Sequence, residues 1–328
     1  METKAISFGR TMAVPIVQEL AKNPLTSVPP RYVHHDQDPP IISLKSSSPQ
    51  VPIIDMQRLL SQDFMDSELQ KLDQACREWG FFQLINHEVS SRLVEKVKLE
   101  SEEFFKLPIE EKNKCRQKEG DLEGYGNVFV MSEDQKLHWS DRLYITTSPP
   151  HLRKPHLIPN LLPTFRETLE AYSAELKNVG VKILKLMGKK LRLDDNEMAL
   201  LLEGRQAMGF NYYPPCPQPE LVIGFPPHSD FSGLTILLEI MSNGTYRSIE
   251  HRATVNSLKE RISIATFCSP KMDGEICPAP SLVTPETPAM FRRISVVDYI
   301  KGLFSQKIDG KSYIHSMRIQ NEPGMKSN

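Results

Sequence analysis

The feature of this 328-residue chain that most constrains its fold is a change in the pattern of apolar residues near Arg205. A turn-rich segment, NYYPPCPQP at 211–219, is followed by short apolar runs at 221–223, 234–240 and 262–267. Short apolar runs separated by turns are typical of strands that pack as a sandwich or jelly roll. The second part of the chain is therefore predicted to form a β core.

The part of the chain before Arg205 has mainly helical periodicity. Its strongest segment is 163–191, where apolar residues recur at steps of three or four. Segments 67–80 and 90–105 are also predicted helices, two short strands are predicted at 51–55 and 81–85, and 290–317 is predicted to be helical again. The predicted class is α+β, with helices packed on the β core. The predicted regions are an extended, proline-rich N-terminal arm (1–50), a helical region (51–200), the β core (201–290) and a C-terminal helix and tail (291–328).

Composition excludes several kinds of partner. Forty Lys and Arg residues face 41 acidic ones, so the basic excess that nucleic acid or an anionic membrane would require is missing. No run of about 18 apolar residues is present, and we expect no transmembrane helix. The five cysteines are scattered and odd in number, which favours reduced thiols. The N-terminus has no pattern of a secretory signal, so a cytoplasmic protein is expected.

His228, Asp230 and His251 form a candidate metal site. His-x-Asp alone is a weak signal, but His251 follows on a polar segment in the predicted β core. Two imidazoles and one carboxylate can occupy one face of an octahedral Fe(II) and leave three positions open for reactants. Thiolate ligands would favour zinc or iron–sulfur clusters, so Cys268 is not expected to be a ligand.

Arg261 and Ser263 follow the candidate site and are two residues apart, so on a strand both side chains face the same way. A guanidinium binds a carboxylate through two charge-assisted hydrogen bonds. This pair is expected to bind a dicarboxylate co-substrate, which a zinc hydrolase using the same triad would not need.

Several segments resemble the plant 2-oxoglutarate- and Fe(II)-dependent dioxygenases. They are WGFFQLINH, SEDQKLHWSD, NYYPPCPQP, PHSD, GLTILL, EIMSNGTYRSIEHRATVNS and ERISIATF, and the likeness runs over nearly the whole chain. The chain is most similar to the senescence-related subgroup, with which the alkaloid O-demethylases are allied.

The resemblance implies a double-stranded β-helix (jelly roll) with flanking N-terminal helices. It implies Fe(II) bound by His228, Asp230 and His251, and 2-oxoglutarate bound by Arg261 and Ser263, with Asn211 and Tyr213 as further contacts. It also implies O2 as co-substrate and ascorbate as reductant. The expected reaction hydroxylates or O-demethylates a small, mostly apolar plant metabolite and releases succinate and CO2.

The chain departs from the family between Asp230 and His251, which only 20 residues separate. The sequence around Leu238 and Glu239 looks like two family segments joined, with about 35 residues, or about three strands, missing. A splice variant, an erroneous gene model or a real deletion would each produce this. The β core is therefore expected to lack several strands. Relatives often carry a basic residue near Gly209, and a glycine is usual where Glu88 stands.

Two functions remain open at this point. The first is an active oxygenase, and the second is a catalytically impaired relative that acts as a binding or non-functional variant. A small-molecule substrate and a monomer are expected. Candidate substrate contacts are the aromatic residues Tyr125, Phe129, Tyr144, Phe210 and Phe231.

Overall fold

The computed structural model describes residues 12–22, 25–35, 50–127, 130, 132–160, 162–230, 232, 236–304 and 312–319. Its strands are β1 (Ile53–Asp55), β2 (Gln83–Ile85), β3 (Gly124–Gly126), β4 (Asp141–Ser148), β5 (Arg205–Tyr213), β6 (Phe225–His228), β7 (His251–Ala253), β8 (Arg261–Ser269), β9 (Glu275–Ile276) and β10 (Ile294–Ser295). Its helices are α1 (Val17–Ala21), α2 (Met56–Leu59), α3 (Met65–Glu78), α4 (Ser91–Lys106), α5 (Ile109–Lys114), α6 (Phe165–Leu191), α7 (Asp195–Leu202), α8 (Ile236–Met241), α9 (Val296–Phe304) and α10 (Ser312–Met317).

The centre of the fold is an antiparallel sheet with strand order β3-β4-β5-β8. Strand β5 pairs with β8 from Arg205 opposite Ser269 to Tyr213 opposite Arg261. Strands β3 and β4 precede residue 200 and β5 and β8 follow it, so the predicted helical region and the predicted β core share one sheet.

The two faces of this sheet differ because alternate side chains of a strand point to opposite sides. Leu143, Met208 and Phe210 are buried on one face, in an apolar cluster that includes Phe104 of α4 and Phe165 of α6. Helix α6 covers the segment predicted as the strongest helix. The opposite face carries polar side chains and is available for a site.

Three further pairs of strands complete the described β structure. Strands β6 and β7 form an antiparallel ribbon, in which His228 is the register partner of His251. Strands β1 and β2 pair in parallel, and β9 and β10 pair antiparallel.

The prediction of a strand at 234–240 is wrong for the described part of that segment, because 236–241 forms helix α8. Leu237, Ile240 and Met241 stand at helical spacing and are buried in a cluster with residues of α3, α6 and α9. A short apolar run does not distinguish a strand from a buried helix. The residues of β8, in contrast, are mostly only partly buried.

Two other segments also differ from prediction. Residues 219–221 form a short 3-10 helix where a strand was expected to begin. The segment 290–317, predicted as helix, begins with β10 and continues as α9 and α10 in its described part.

At two of three positions the local residue type fits the backbone conformation. The Ser90 hydroxyl accepts a hydrogen bond from the Leu93 backbone N–H and caps α4. Gly80 follows α3 with φ +74°, and a Cβ there would come within 2.8 Å of the Arg247 carbonyl oxygen. Glu88 has φ +65°, a conformation that favours glycine. Within the described ranges, no helix is long and apolar enough to cross a membrane.

Candidate metal centre

The β6–β7 ribbon brings the three predicted metal ligands together. His228 ends β6, His251 begins β7, and their ring centroids are 4.2 Å apart. Asp230 lies two residues beyond β6, with one carboxylate oxygen 3.4 Å from Nε2 of His228. One potential ligand atom from each side chain lies within 4.8 Å of the other two. The 20-residue link between Asp230 and His251 therefore allows the three side chains to meet at one point.

Backbone carbonyls contact both imidazoles and fix the orientation of the rings. Nδ1 of His228 lies 2.8 Å from the Pro226 carbonyl oxygen, and Nδ1 of His251 lies 3.5 Å from that of Ile249. Because a carbonyl only accepts hydrogen bonds, these contacts favour a proton on Nδ1 and a lone pair on Nε2. Metal-binding histidines usually have such a partner. This donor set, two nitrogens and one carboxylate, fits Fe(II).

Aromatic rings pack against His228 in a row. Its ring is 4.6 Å from that of Phe225, which is 5.4 Å from His138, both centroid to centroid. Burial, together with the nearby His34 and His228, lowers the pKa of His138 to about 3, so the ring packs as a neutral aromatic group. Sequence reasoning assigns no role to His138, because this contact exists only after folding.

The predicted co-substrate residues share one face of the central sheet. Asn211 is paired with Ser263, and Tyr213 with Arg261. The Asn211 side-chain amide donates to the Ser263 hydroxyl over 3.3 Å, and Cζ of Arg261 is 5.3 Å from the centroid of the Tyr213 ring. Burial raises the pKa of Tyr213, while hydrogen bonds to Ser263 and Arg261 and the positive charges of Arg261 and Arg142 lower it.

The ribbon and the polar face of the sheet enclose one cavity of about 400 Å³. Its wall contains the His228, Asp230 and His251 triad and the four predicted co-substrate residues, together with Arg142, Phe225, Arg252, Ala253, Thr254, Ala265 and Phe267. The two predicted sets of residues therefore face the same space. Arg142, which directly follows the segment SEDQKLHWSD, was not predicted from the sequence. The face of the sheet to which its side chain points depends on the pairing of β4 with β5.

The predicted substrate contacts are distributed over different parts of the structure. Tyr144 lies beside the cavity, with its ring centroid 5.9 Å from that of Phe267. Phe210 contacts Phe165, and Tyr125 contacts Phe104, in the apolar cluster on the opposite face of the sheet. The structure therefore gives Phe210 and Tyr125 no part in the cavity wall. Phe129 and Phe231 lie outside the described residues.

Comparison with protein families gives matches over most of the chain. A family model described as "non-haem dioxygenase in morphine synthesis N-terminal" matches residues 51–164. A model described as "2OG-Fe(II) oxygenase superfamily" matches twice, at 204–239 and 237–270. These two matches meet at the junction predicted near Leu238 and Glu239.

The chain is also similar to individual proteins over nearly its whole length. It is 49% identical to oxoglutarate-dependent flavonoid 7-O-demethylase 1 of Ocimum basilicum, in a 360-residue alignment that covers 98% of this chain and 94% of the relative. It is 44% identical to codeine O-demethylase of Papaver somniferum, again over 360 residues, with 97% and 100% covered. Both alignments are longer than this chain of 328 residues, so each relative has residues that face a gap in it.

A solved structure is similar as well. The crystal structure of JOX2 in complex with 2OG, Fe and JA matches with a TM-score of 0.86 and 30% identity. The match covers 94% of this chain and 99% of that one.

Proposed function

Because the chain belongs to the 2OG-Fe(II) oxygenase superfamily and is a 2-oxoglutarate-dependent dioxygenase, we propose that His228, Asp230 and His251 hold its Fe(II). The observation that carries this proposal is the convergence of their ligand atoms within 4.8 Å, in the cavity that Arg261 and Ser263 also line. The orientation of both imidazoles by backbone carbonyls supports it.

In this proposal, 2-oxoglutarate lies between the metal and Arg261. The guanidinium of Arg261 and the hydroxyl of Ser263 bind the carboxylate that is farther from the metal. Tyr213 packs beside Arg261 and limits its movement, and the Asn211 amide holds the Ser263 hydroxyl in place. The four residues thus fix the direction of the co-substrate.

When bound, Fe(II) and 2-oxoglutarate would supply the oxidising chemistry. One oxygen atom of O2 would be inserted into a C–H bond of the substrate, and the other oxygen atom would enter succinate as CO2 is released. Applied to an O-methyl group, this hydroxylation gives a hemiacetal that releases formaldehyde and leaves a hydroxyl. The names of the flavonoid and codeine O-demethylases support demethylation here. The protein's own residues orient the reactants and exclude bulk water, and Phe225, Ala265 and Phe267 give the cavity apolar walls suited to a small, mostly apolar plant metabolite.

We also propose how the strands of the β core are arranged. The sheet β3-β4-β5-β8 and the β6–β7 ribbon are the two sides of a jelly roll that lacks about three strands. The divided family match and the alignments longer than the chain support a missing segment near Leu238 and Glu239. We further propose that the protein is a cytoplasmic monomer and that ascorbate serves as its reductant. The convergent triad does not favour the alternative of a catalytically impaired variant.

The test supplies 2-oxoglutarate, O2 and 7-methoxyflavone or 4-methoxycinnamate, and measures succinate released from 2-oxoglutarate and formaldehyde released from the methoxy group. The wild-type chain and His228→Ala are compared, with His156→Ala as the matched control because His156 is exposed on a distant segment. We expect succinate from the wild type and the control, and none above background from His228→Ala.

The ratio of the two products identifies the reaction. Equal amounts of formaldehyde and succinate indicate demethylation, and succinate without formaldehyde indicates hydroxylation or uncoupled turnover. Equal succinate release from the wild type and His228→Ala would contradict the proposed metal site.

A further inference from the structure

Arg142 is a second arginine in the wall of the metal cavity, apart from the proposed 2-oxoglutarate residues. It lies on β4 and pairs in register with Asn211, whose other neighbour across the sheet is Ser263. Because paired residues point to the same face of a sheet, Arg142 faces the cavity together with Asn211 and Ser263.

The guanidinium of Arg142 has no acceptor for its N–H groups among the residues that the structure describes. Its Nε is buried and makes no hydrogen bond, and it forms no ion pair with a described carboxylate. Cζ of the guanidinium lies over the ring of Tyr144, 4.2 Å from its centroid. A guanidinium has five N–H donors, and a partly buried cation without an anionic partner carries a cost of desolvation.

The electrostatic environment of Arg142 is consistent with a cation that lacks an anionic partner. Burial lowers the pKa of Arg142 to about 10, and Tyr144, Tyr213 and Asp230 only partly oppose this effect. Gly209, on the neighbouring strand, carries no side chain, and a Cβ there would already be in van der Waals contact with Nε of Arg142 at 3.6 Å and with the rings of Phe267 and Tyr144 at 3.5 Å. The charge lies in the wall of the cavity of about 400 Å³, which a ligand can enter.

The co-substrate does not require this second cation. Strands β4 and β8 are two strand spacings apart, or about 10 Å, so Arg142 stands on the far side of Asn211 from Arg261 and Ser263. In the proposed complex, the two positive charges of Fe(II) and the one of Arg261 match the negative charges of Asp230 and of the 2-oxoglutarate dianion. Arg142 then remains as a positive charge without a partner.

We propose that Arg142 binds a carboxylate of the substrate to be oxidised, so that this substrate is a small carboxylic acid with an apolar body. The inference rests on the proposed function and narrows the class of substrate. The planar fork of Arg142 suits a carboxylate, while Ala265 and Phe267 on β8 and Phe225 on β6 suit the apolar part. A substrate anchored at Arg142 places its body between β4 and the metal ligands.

The experiment compares binding of acids with that of their neutral amides. 4-Methoxybenzoate and 4-methoxycinnamate, and the amide of each, are titrated into protein loaded with Mn(II) and 2-oxoglutarate without O2. The proteins are the wild type, Arg142→Gln, Arg142→Lys and the control Arg92→Gln, which changes an exposed arginine of α4. Binding of Mn(II) and of 2-oxoglutarate is measured separately for each protein.

We expect the wild type and Arg92→Gln to bind at least one acid about tenfold to a hundredfold more tightly than its amide. Arg142→Gln should lose this preference, and Arg142→Lys should keep only part of it because the fork is lost. Both variants at Arg142 should bind Mn(II) and 2-oxoglutarate as the wild type does, which also shows that their sites are folded.

The absence of any preference for the acids in the wild type would overturn the inference. An unchanged preference in Arg142→Gln would do the same, and so would a loss of 2-oxoglutarate binding in both variants, which would assign Arg142 to the co-substrate. Failure of the wild type to bind Mn(II) and 2-oxoglutarate would instead contradict the proposed function itself.

Discussion

At the scale of single residues, the direction of a side chain on the central sheet decides its environment. Phe210 and Asn211 are neighbours in the chain, yet Phe210 packs against α6 and Asn211 faces the cavity. The same alternation directs Arg261 and Ser263 to the cavity and Ile262 to the apolar cluster. A change at one of these positions should therefore affect either stability or ligand binding.

Replacement of Arg261 by Lys should weaken 2-oxoglutarate binding about tenfold or more and leave metal binding nearly unchanged. The positive charge stays, but the two parallel hydrogen bonds to a carboxylate are lost. Titration of Mn(II) and then of 2-oxoglutarate measures both affinities. Arg247→Lys, an exposed arginine near the ribbon, is the matched control. Equal losses of metal and co-substrate would show that Arg261 has a structural role.

At the scale of secondary-structure elements, helix α8 is tied to the segment that carries His251. Glu239 of α8 is buried, and one of its carboxylate oxygens accepts a hydrogen bond of 2.8 Å from the Ser248 backbone N–H. Its other oxygen is 3.5 Å from the Arg318 guanidinium. The helix that replaces the predicted strand thus anchors the chain three residues before a proposed ligand.

Glu239→Ala should lower the free energy of unfolding by about 1–3 kcal/mol, because it leaves the buried Ser248 N–H without its acceptor. It should also weaken Mn(II) binding, since the approach to His251 becomes less restrained. Glu239→Gln keeps an acceptor and should retain most of both properties. Urea denaturation and metal titration measure the two effects. Equal Mn(II) affinity in the wild type and both variants would show that α8 does not influence the metal site.

The helix α1 of the N-terminal arm depends on a buried carboxylate of β4. Asp141 accepts hydrogen bonds from the backbone N–H groups of Val17 (2.9 Å) and Gln18 (2.7 Å). Burial raises the pKa of Asp141 to about 7, although these bonds and the charges of Lys112 and Arg116 lower it. An unfolded aspartate has a pKa of about 3.9.

This difference predicts a dependence of stability on pH. Between about pH 4 and pH 7 the unfolded chain releases the proton first, so the contribution of Asp141 to stability falls as the pH rises. Asp141→Asn cannot ionise, and it should gain stability relative to the wild type over this range. Each unit of pKa difference corresponds to about 1.4 kcal/mol. Urea denaturation from pH 4 to pH 8 checks this, with the exposed Asp66→Asn as control, and parallel profiles for wild type and Asp141→Asn would contradict it.

At the scale of the whole molecule, the proposed metal site takes its ligands from both strands of the β6–β7 ribbon, so one bound metal ion would link the two strands. His228 ends one strand of the ribbon and Asp230 follows it, and His251 begins the other strand. Mn(II) should therefore stabilise the folded chain, by about 2.7 kcal/mol at a free concentration one hundred times its Kd. Thermal denaturation with and without Mn(II) should show a higher midpoint for the wild type and His156→Ala and no change for His228→Ala. An equal rise in all three would indicate metal binding elsewhere.

The sequence by itself predicted which residues would form the site, and the structure brings these residues to one cavity. His228, Asp230 and His251 were predicted as a group, and Arg261 and Ser263 as a pair, because ligand types and the two-residue period of a strand are local properties. Helices such as α4 and α6 were predictable for the same reason, since the periodicity of their apolar residues lies within the segment itself.

Only the tertiary structure decided how these local patterns combine. The run around Leu238 became a helix because burial against α3, α6 and α9 outweighs its strand-like composition. The role of His138 behind Phe225 and the direction of Arg142 depend on pairings between distant strands, which no local pattern encodes. The 20-residue link between Asp230 and His251 brings His251 beside His228 because β6 and β7 pair directly. This long-range contact forms only in the folded chain.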